Sequence, residues 1–354
     1  MPQLVVSRPL VPSLSVIVDA KEREYFWNKL MMLWCGCPRT MFPGCNPVSL
    51  SNNNIHFLKT WLYHITLKSD GVRYILFLTT RRGASDDNPM PVALMIDRAG
   101  NMYEIDVMAR AQHFVDGTAL EVELVWRQPE ETEMSLLAFD CIAVQGKNVT
   151  KQPFSYRLAE LQRLTNLSEE FAKYDDVEQR IDETDTVVVL QFSPRLYLRP
   201  KLFVSVEHAQ RLWSDRRDCG HRVDGLILQA SDAPYMCGTA KDGSALKWKE
   251  KSTVDLKGND HLATSENIIP TVYRDRNIIV RASRIVAHTP DDIIEYLLDV
   301  TDDEIGLFAV RSRPDKLRAN SDFVFFATID DVMASVQPAD IAEAATVSML
   351  VEPP

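Results

Sequence analysis

The chain has 354 residues, is 45% hydrophobic and 25% charged, and carries a formal net charge of −11. That length allows two ordinary domains, and that balance can bury a core in each. The acidic excess excludes a protein that coats nucleic acid through a broad basic face, but it leaves room for a site built on a local Lys and Arg cluster, such as Arg195–Arg222 or Lys241–Lys251.

No apolar run reaches the roughly 18 residues of a membrane helix, so no membrane partner is expected. Met1–Ser15 lacks the basic start and apolar block of a signal peptide, and the sequence reads as intracellular. The six cysteines (Cys35, Cys37, Cys45, Cys141, Cys219 and Cys237) include no CxxC pair. They read as free thiols rather than as a disulfide framework or a zinc site.

In chain order, residues 19–33 have a helical rhythm with Phe26 and Leu30 on one side. A Pro/Gly/Asn-rich loop follows over Pro38–Asn54. Strand-like runs come next at Leu62–Leu67, Arg73–Thr79, Val92–Ile96, Met102–Val107, Leu120–Trp126 and Leu136–Val144. Residues 155–174 read as an amphipathic helix, 186–193 as a strand and Val206–Trp213 as a helix. Val223–Gln229 and Ala245–Lys249 read as strands. Composition changes near residue 255, which predicts domains at 1–255 and 256–354. The second holds short strands at Asn277–Ile285 and Leu307–Arg313, an Ile293–Val300 segment that fits helix or strand, and an Ala-rich helical tail, Ile329–Val351, broken by Pro338.

One short motif carries chemistry. LKSDGVRYILFL sets Lys68, Asp70, Gly71 and Arg73 in a turn between two apolar runs. Such a turn aims a lysine into a cleft, and a lysine freed of its proton is a nucleophile toward phosphorus. Alone, the turn reads as a surface β-turn. It has company in a fixed order: Glu121 and Glu123 in GTALEVELVW, Phe139 and Asp140 in LLAFDC, Asp224 and Gly225 in VDGLIL, Lys247 and Lys249 in LKWK, and Arg313, Asp315 and Lys316 in RSRPDK. Each segment taken singly has a structural reading: an alternating strand, a turn, or core plus cap.

Taken together, the ordered set resembles the covalent nucleotidyltransferase superfamily, and within it the mRNA guanylyltransferases of eukaryotes and large DNA viruses. FPGCNPVSL (Phe42–Leu50), MIDRAGNMYEI (Met95–Ile105) and RSRPDKLRAN (Arg311–Asn320) are similar to segments of that branch. The resemblance covers roughly residues 38–325. It implies an α+β, two-domain clamp: a ligase-like, ATP-grasp-like nucleotidyltransferase domain followed by an OB-fold barrel, with Ile293–Val300 as a strand of the barrel and the C-terminal helix packed back.

The resemblance also implies roles. Lys68 would form a covalent lysyl–GMP from GTP, with Asp70 and Gly71 shaping its turn. Arg73 and Glu123 would hold the ribose, and Phe139 and Ile227 would sandwich guanine. Lys247 and Lys249, which share a strand face, would grip the α-phosphate, and Arg98 would contact phosphates. Asp224, beside Gly225, would bind Mg2+ or Mn2+ or hold the phosphate-side lysines, with Asp140 in support. Arg313, Asp315 and Lys316 would reach the β- and γ-phosphates. The acceptor would be the 5′-diphosphate end of an RNA. An RNA triphosphatase and a cap methyltransferase would act before and after, and RNA polymerase is a further expected partner. The chain has no HC-x5-R phosphatase signature. Location would be nuclear for a cellular enzyme and cytoplasmic for a viral one. One departure stands out: the branch has Asp-Gly-Glu where this chain has Glu121-Val122-Glu123. The competing readings are an ATP-dependent RNA or DNA ligase and an inactive scaffold that binds RNA ends.

Overall fold

The computed structural model describes residues 14–34, 41–81, 89–127, 134–165, 185, 187–189, 196–257, 267–273, 276–281, 292–301, 304–313, 316, 318–333 and 336–349. Two compact units emerge. One comprises Met1–Ser49, Phe57–Trp248 and Pro338–Pro354, and the other Leu50–His56 and Lys249–Gln337. The sequence reading drew its boundary at residue 255 and kept the tail with the second domain. In the structure the helix Pro338–Met349 groups with the first unit, because it packs on the short helix Ala209–Ser214 and the 3-10 turn Val206–His208.

Among the described residues the first unit mixes α structure with two larger sheets and two two-stranded ribbons. The larger sheet runs in the order Ser15–Val16, Met102–Ile105, Met90–Ile96, Val72–Arg81, Thr118–Trp126, Met134–Val144 and Lys147–Asn148, with Leu196–Pro200 parallel to Met134–Val144. Its central strands are apolar at nearly every position because both faces are covered. From Val72–Arg81, Tyr74, Leu76 and Leu78 pack with Phe154, Leu158, Leu161 and Leu164 of the helix Phe154–Thr165. The alternate residues Ile75 and Phe77 pack with Phe26, Leu30 and Met31 of the helix Ala20–Leu33. The strand period of two therefore feeds two separate cores. Asp19 caps the first helix by accepting the Glu22 amide at 2.8 Å.

The smaller sheet runs Val204–Ser205, Tyr63–Ser69, Val223–Ala230, Ala245–Lys249 and Val48–Ser49. Tyr63–Ser69 belongs to this sheet and Val72–Arg81 to the larger one, so the chain crosses between sheets over Asp70 and Gly71. A Cβ on Gly71 would lie 2.5 Å from the Leu124 carbonyl oxygen and 2.8 Å from the Glu123 side chain. Only glycine lets the crossover lie this close to the Thr118–Trp126 strand.

The second unit has a five-stranded sheet in the order Thr253–Lys257, Ile293–Val300, Glu304–Ser312, Arg276–Arg281 and Asn267–Tyr273. Ile293–Val300 is a strand. The helix Asp322–Met333 packs on it through Ile329.

Most expected elements are present with edges shifted by one to four residues. The expected helix 155–174 is seen as Phe154–Thr165, its remainder lying outside the described residues, and of strand 186–193 only 187–189 are described. The expected helix Val206–Trp213 is a 3-10 turn followed by Ala209–Ser214. The helical tail is broken ahead of Pro338 as expected, and Pro338 opens the next helix at its first position, where its missing N–H costs nothing. The edge strand Leu196–Pro200 is not predicted from sequence because Arg199 and Pro200 disguise it. Replacing Phe77, fully buried in the Ala20–Leu33 core, by alanine should lower stability by about 3–5 kcal/mol, read from the midpoint of urea unfolding.

Candidate active site

Lys68 is the penultimate residue of Tyr63–Ser69 and pairs across the ladder with Gly225. The register slips between Val223 and Gly225, which leaves Asp224 as a bulged residue. Bulges re-aim side chains, and here the Asp224 carboxylate meets the lysine, with Nζ 2.7 Å from Oδ1 and both side chains partly buried. The Asp70 amide donates to the Arg222 carbonyl at 2.9 Å and closes the turn. Ile227 lies opposite Thr66, two positions from Lys68 along the same face. Lys247 and Lys249 lie on the strand beyond, on one side of it. Trp248 between them points the other way and is buried edge-on against Trp213, with ring centroids 5.0 Å apart.

Five residues after Lys68, Arg73 anchors a second cluster. Its guanidinium grips the Glu121 carboxylate through Nε and Nη2, and Nη1 donates to the Cys45 carbonyl at 2.6 Å. It also lies over two rings, Phe42 at 5.6 Å and Phe139 at 5.3 Å. A Cβ on Gly44 would come within 2.7 Å of Arg73 Nη2 and 2.9 Å of Glu121 Oε1. The Phe42-Pro43-Gly44 segment thus supplies an aromatic ring and then a space. Burial raises the pKa of the Glu121 carboxyl, while Arg73 pulls against that rise. Burial also disfavours the Arg73 charge, but Glu121 more than compensates and holds the guanidinium above its ordinary range. Burial and then Glu121 push the Cys45 thiol up to about 12. Tyr235, also raised by burial and then by Glu121, donates its hydroxyl to the Pro43 carbonyl at 3.0 Å.

Glu123 is held by Lys201, 2.9 Å from its Oε2, and Lys201 also lies 5.8 Å from the Phe139 ring centroid. Arg98 sits exposed on the Asp97–Asn101 turn, whose amides of Ala99 and Asn101 donate to Asp97 at 2.9 Å each. The protein around Arg98 and then the Arg73 charge lower its pKa, with Glu121 and Glu123 opposing. Asp140 makes a two-pronged pair with buried Arg157 at 2.7 and 3.0 Å, and Arg157 Nη1 also donates to the carbonyls of Gln152 and Ala233. Asp140 therefore secures the Phe154–Thr165 helix beneath Phe139.

The Glu121-Val122-Glu123 departure now has a physical account. Val122 is fully buried in the core with Tyr74, Leu120 and Leu124, on the face turned away from Arg73 and Glu121. A side chain at this position fills core and does not touch the site. In the second unit, Arg313 and Lys316 both reach Asp255, at 3.2 and 3.4 Å. Asn320 joins the middle of the same strand by exchanging two hydrogen bonds of 2.7 Å with Asp255. Asp315 lies outside the described residues.

Sequence reading missed Phe42, Lys201, Tyr235 and Arg157, each placed from a distant segment. No sequence motif singles out His221. Its ring is half-buried and bonded to Ser69, next door to Lys68, at 2.9 Å. Among the described residues no three His, Cys, Asp or Glu side chains converge to hold a metal ion. Asp224, Glu121 and Glu123 each already face a cation. Cys45, Cys141, Cys219 and Cys237 are free thiols.

A lysine at a sheet crossover, paired with a bulged aspartate and followed five residues on by an Arg–Glu cluster beneath an aromatic ring, is the arrangement this sequence folds into. The family model for the mRNA capping enzyme catalytic domain matches residues 10–251, and the chain belongs to that family. The mRNA-capping enzyme subunit alpha of Saccharomyces cerevisiae is 29% identical over 241 residues, covering 62% of this chain and 48% of that protein. The subunit of the same name from Eremothecium gossypii is 30% identical over 244 residues, at the same coverages of 62% and 48%. The mRNA-capping enzyme of Caenorhabditis elegans is 25% identical over 273 residues, 74% of this chain and 40% of that one. The chain thus spans about half the length of the curated relatives it matches. Mycobacterial DNA ligase D, complexed with ATP and MES, aligns with a TM-score of 0.41 and 12% identity over 78% of this chain and 96% of that one.

Two outcomes follow from this geometry. Asp140→Ala strands the buried Arg157 charge and should cost about 3–5 kcal/mol in urea unfolding. His64, His113 and His221 all have pKa values lowered by burial from the ordinary 6.5. The unfolded chain therefore binds more protons in that range, and stability present above pH 6.5 is lost as the pH falls below it. Melting temperatures measured from about pH 8 down to about pH 5.5 should fall.

Proposed function

We propose that the chain is an mRNA 5′-capping guanylyltransferase. The Lys68 amine attacks the α-phosphorus of GTP, an N–P bond forms and pyrophosphate leaves. A terminal oxygen of an RNA 5′-diphosphate then attacks the same phosphorus, the N–P bond breaks, and GMP passes to the RNA. The observation that carries this reading is the Lys68–Asp224 contact at the crossover, five residues from the Arg73–Glu121 cluster, in a chain of the capping-enzyme family.

The residues divide the work. Asp224 holds the lysine in place until a phosphate competes for it. Lys247, Lys249 and Arg98 neutralise the phosphates, since phosphoryl transfer depends on positioning and charge neutralisation. Phe139 stacks on guanine, worth about 1–3 kcal/mol, with Ile227 toward its other face. Arg73 and Glu123 receive the ribose hydroxyls, and exchange some of their present contacts with Glu121 and Lys201 to do so. The second unit is proposed to be an OB fold carrying Arg313, Asp315 and Lys316 to the β- and γ-phosphates, which would first release Arg313 and Lys316 from Asp255.

The donor set suits Mg2+ or Mn2+ entering with the nucleotide, since such an ion takes one or two carboxylates and otherwise phosphate and water oxygens. Asp224 is the carboxylate proposed to hold it, and the ion would supply charge neutralisation at the phosphates. The RNA triphosphatase, the cap methyltransferase and any RNA polymerase contact are partners proposed on the same grounds, and the compartment follows them: nuclear for a cellular enzyme, cytoplasmic for a viral one.

GTP labelled at the α-phosphate, incubated with the protein and a divalent metal, should yield an acid-labile labelled band that pyrophosphate reverses. Lys68→Ala should abolish it, and Lys247→Ala should slow it by about 100-fold or more. Labelling from ATP in preference to GTP would turn the reading to a ligase, and labelling from neither to a scaffold.

A further inference from the structure

We propose that His221, acting through Ser69, is a positioning residue that fixes where the Lys68 amine stands, an inference that rests on Lys68 being the nucleophile. The backbone ladder is irregular at this point. Pairing between the Lys68 strand and Val223–Ala230 slips between Val223 and Gly225, at the point where Lys68 lies. A bulge leaves that stretch of ladder disrupted. The end of the strand keeps the Ser69–Val223 pair and the Asp70-to-Arg222 hydrogen bond, and a side-chain tie is added to them. Ser69, fully buried, needs a partner for its hydroxyl. His221 Nε2 lies 2.9 Å from it.

The direction of each bond follows from the partners. His221 Nδ1 is 3.1 Å from the Cys219 carbonyl, and a carbonyl can only accept. Nδ1 therefore carries the proton, Nε2 is bare, and the Ser69 hydroxyl donates to it. The ring is a neutral strut from the backbone of the Arg216–Cys219 turn to the residue after Lys68. The short bridge between Arg127 and His221 holds the base of the strut. The charged groups facing the ring are Lys201, Glu123 and Arg127. The cations on Lys201 and Arg127 resist a second proton, with Glu123 opposing them. Were Nε2 protonated, it would become a donor, and the Ser69 hydroxyl would have to swing its hydrogen away and accept instead.

The strut matters because phosphoryl transfer is sensitive to small misplacements of the attacking group; shifts of about 1 Å cost on the order of 100-fold. Ser69 and Lys68 are consecutive, so a rotation of one moves the other. His221 touches no reacting atom and acts only through the strand.

Single-turnover formation of the labelled protein–GMP adduct in wild type, Ser69→Ala, His221→Ala, the double variant and His221→Gln tests this. Ser69→Ala and His221→Ala should each slow adduct formation about 10- to 100-fold with little change in the GTP concentration at half-maximal rate. The double variant should be no slower than the worse single one, as for two ends of one tie. The Gln side-chain oxygen can take the place of Nε2 as acceptor. His221→Gln should therefore recover most of the rate and flatten the acidic limb of the rate–pH profile. Melting curves should show all variants folded; a variant that melts early is replaced in the comparison by His221→Gln, which keeps the acceptor. Wild-type labelling with His221→Ala at the wild-type rate, or single losses that multiply in the double variant, would overturn the positioning role and leave the guanylyltransferase reading intact. Absence of any wild-type adduct would overturn both.

Discussion

The approach of the Asp70–Gly71 crossover to the Thr118–Trp126 strand sets everything else in the first unit. Two sheets meet there, joined by two residues, and the carbonyl of Leu124 stands 2.5 Å from where a side chain on residue 71 would begin. Because the crossover is so short, the last residues of one sheet and the first of the next cannot drift apart. Lys68 on one strand and Arg73 on the next stay close along the chain, and Glu121 and Glu123 face the Arg73 strand through the ladder.

Around that crossover the electrostatics are arranged as pairs. Asp224 faces Lys68, Glu121 faces Arg73, and Glu123 faces Lys201. A set of bare cations in this space would repel one another, and bare carboxylates would be costly to desolvate. Pairing keeps the cleft neutral enough to persist without a nucleotide. It also gives each cation a carboxylate that an incoming phosphate or hydroxyl can replace. The same logic recurs in the second unit, where Arg313 and Lys316 share Asp255. Asp140 is of a different kind. Its two-pronged bond to Arg157, which also donates to two carbonyls, binds a helix to the sheet under Phe139 and is built to stay closed.

The strands and most helices were legible because apolar periodicity follows from which faces are covered, and that pattern is local. Lys68, Arg73 and the Asp224–Gly225 pair were legible as a motif in order along the chain. What stayed hidden were contacts between segments far apart in sequence. Lys201 comes 78 residues after the Glu123 it neutralises. Arg157 sits in a helix whose pattern announced only leucines, and its polar work is invisible until Asp140 faces it. His221 carries no local motif, because the strand it ties lies 152 residues earlier. The replacement of a glycine by Val122 read as a change in the site, and only the face assignment, core against cleft, showed that it fills the core.

By itself the sequence determined the family, the alternation of the strands, the lysine turn and the need for glycine somewhere near it, since each depends on residues close together in the chain or on their order. Only the tertiary structure decided which acid holds which base, that Asp224 is bulged toward Lys68, and that His221 braces the strand end. Those outcomes depend on distances across a ladder of a few ångströms, and a slip of one residue in register would have turned each of these side chains to the opposite face.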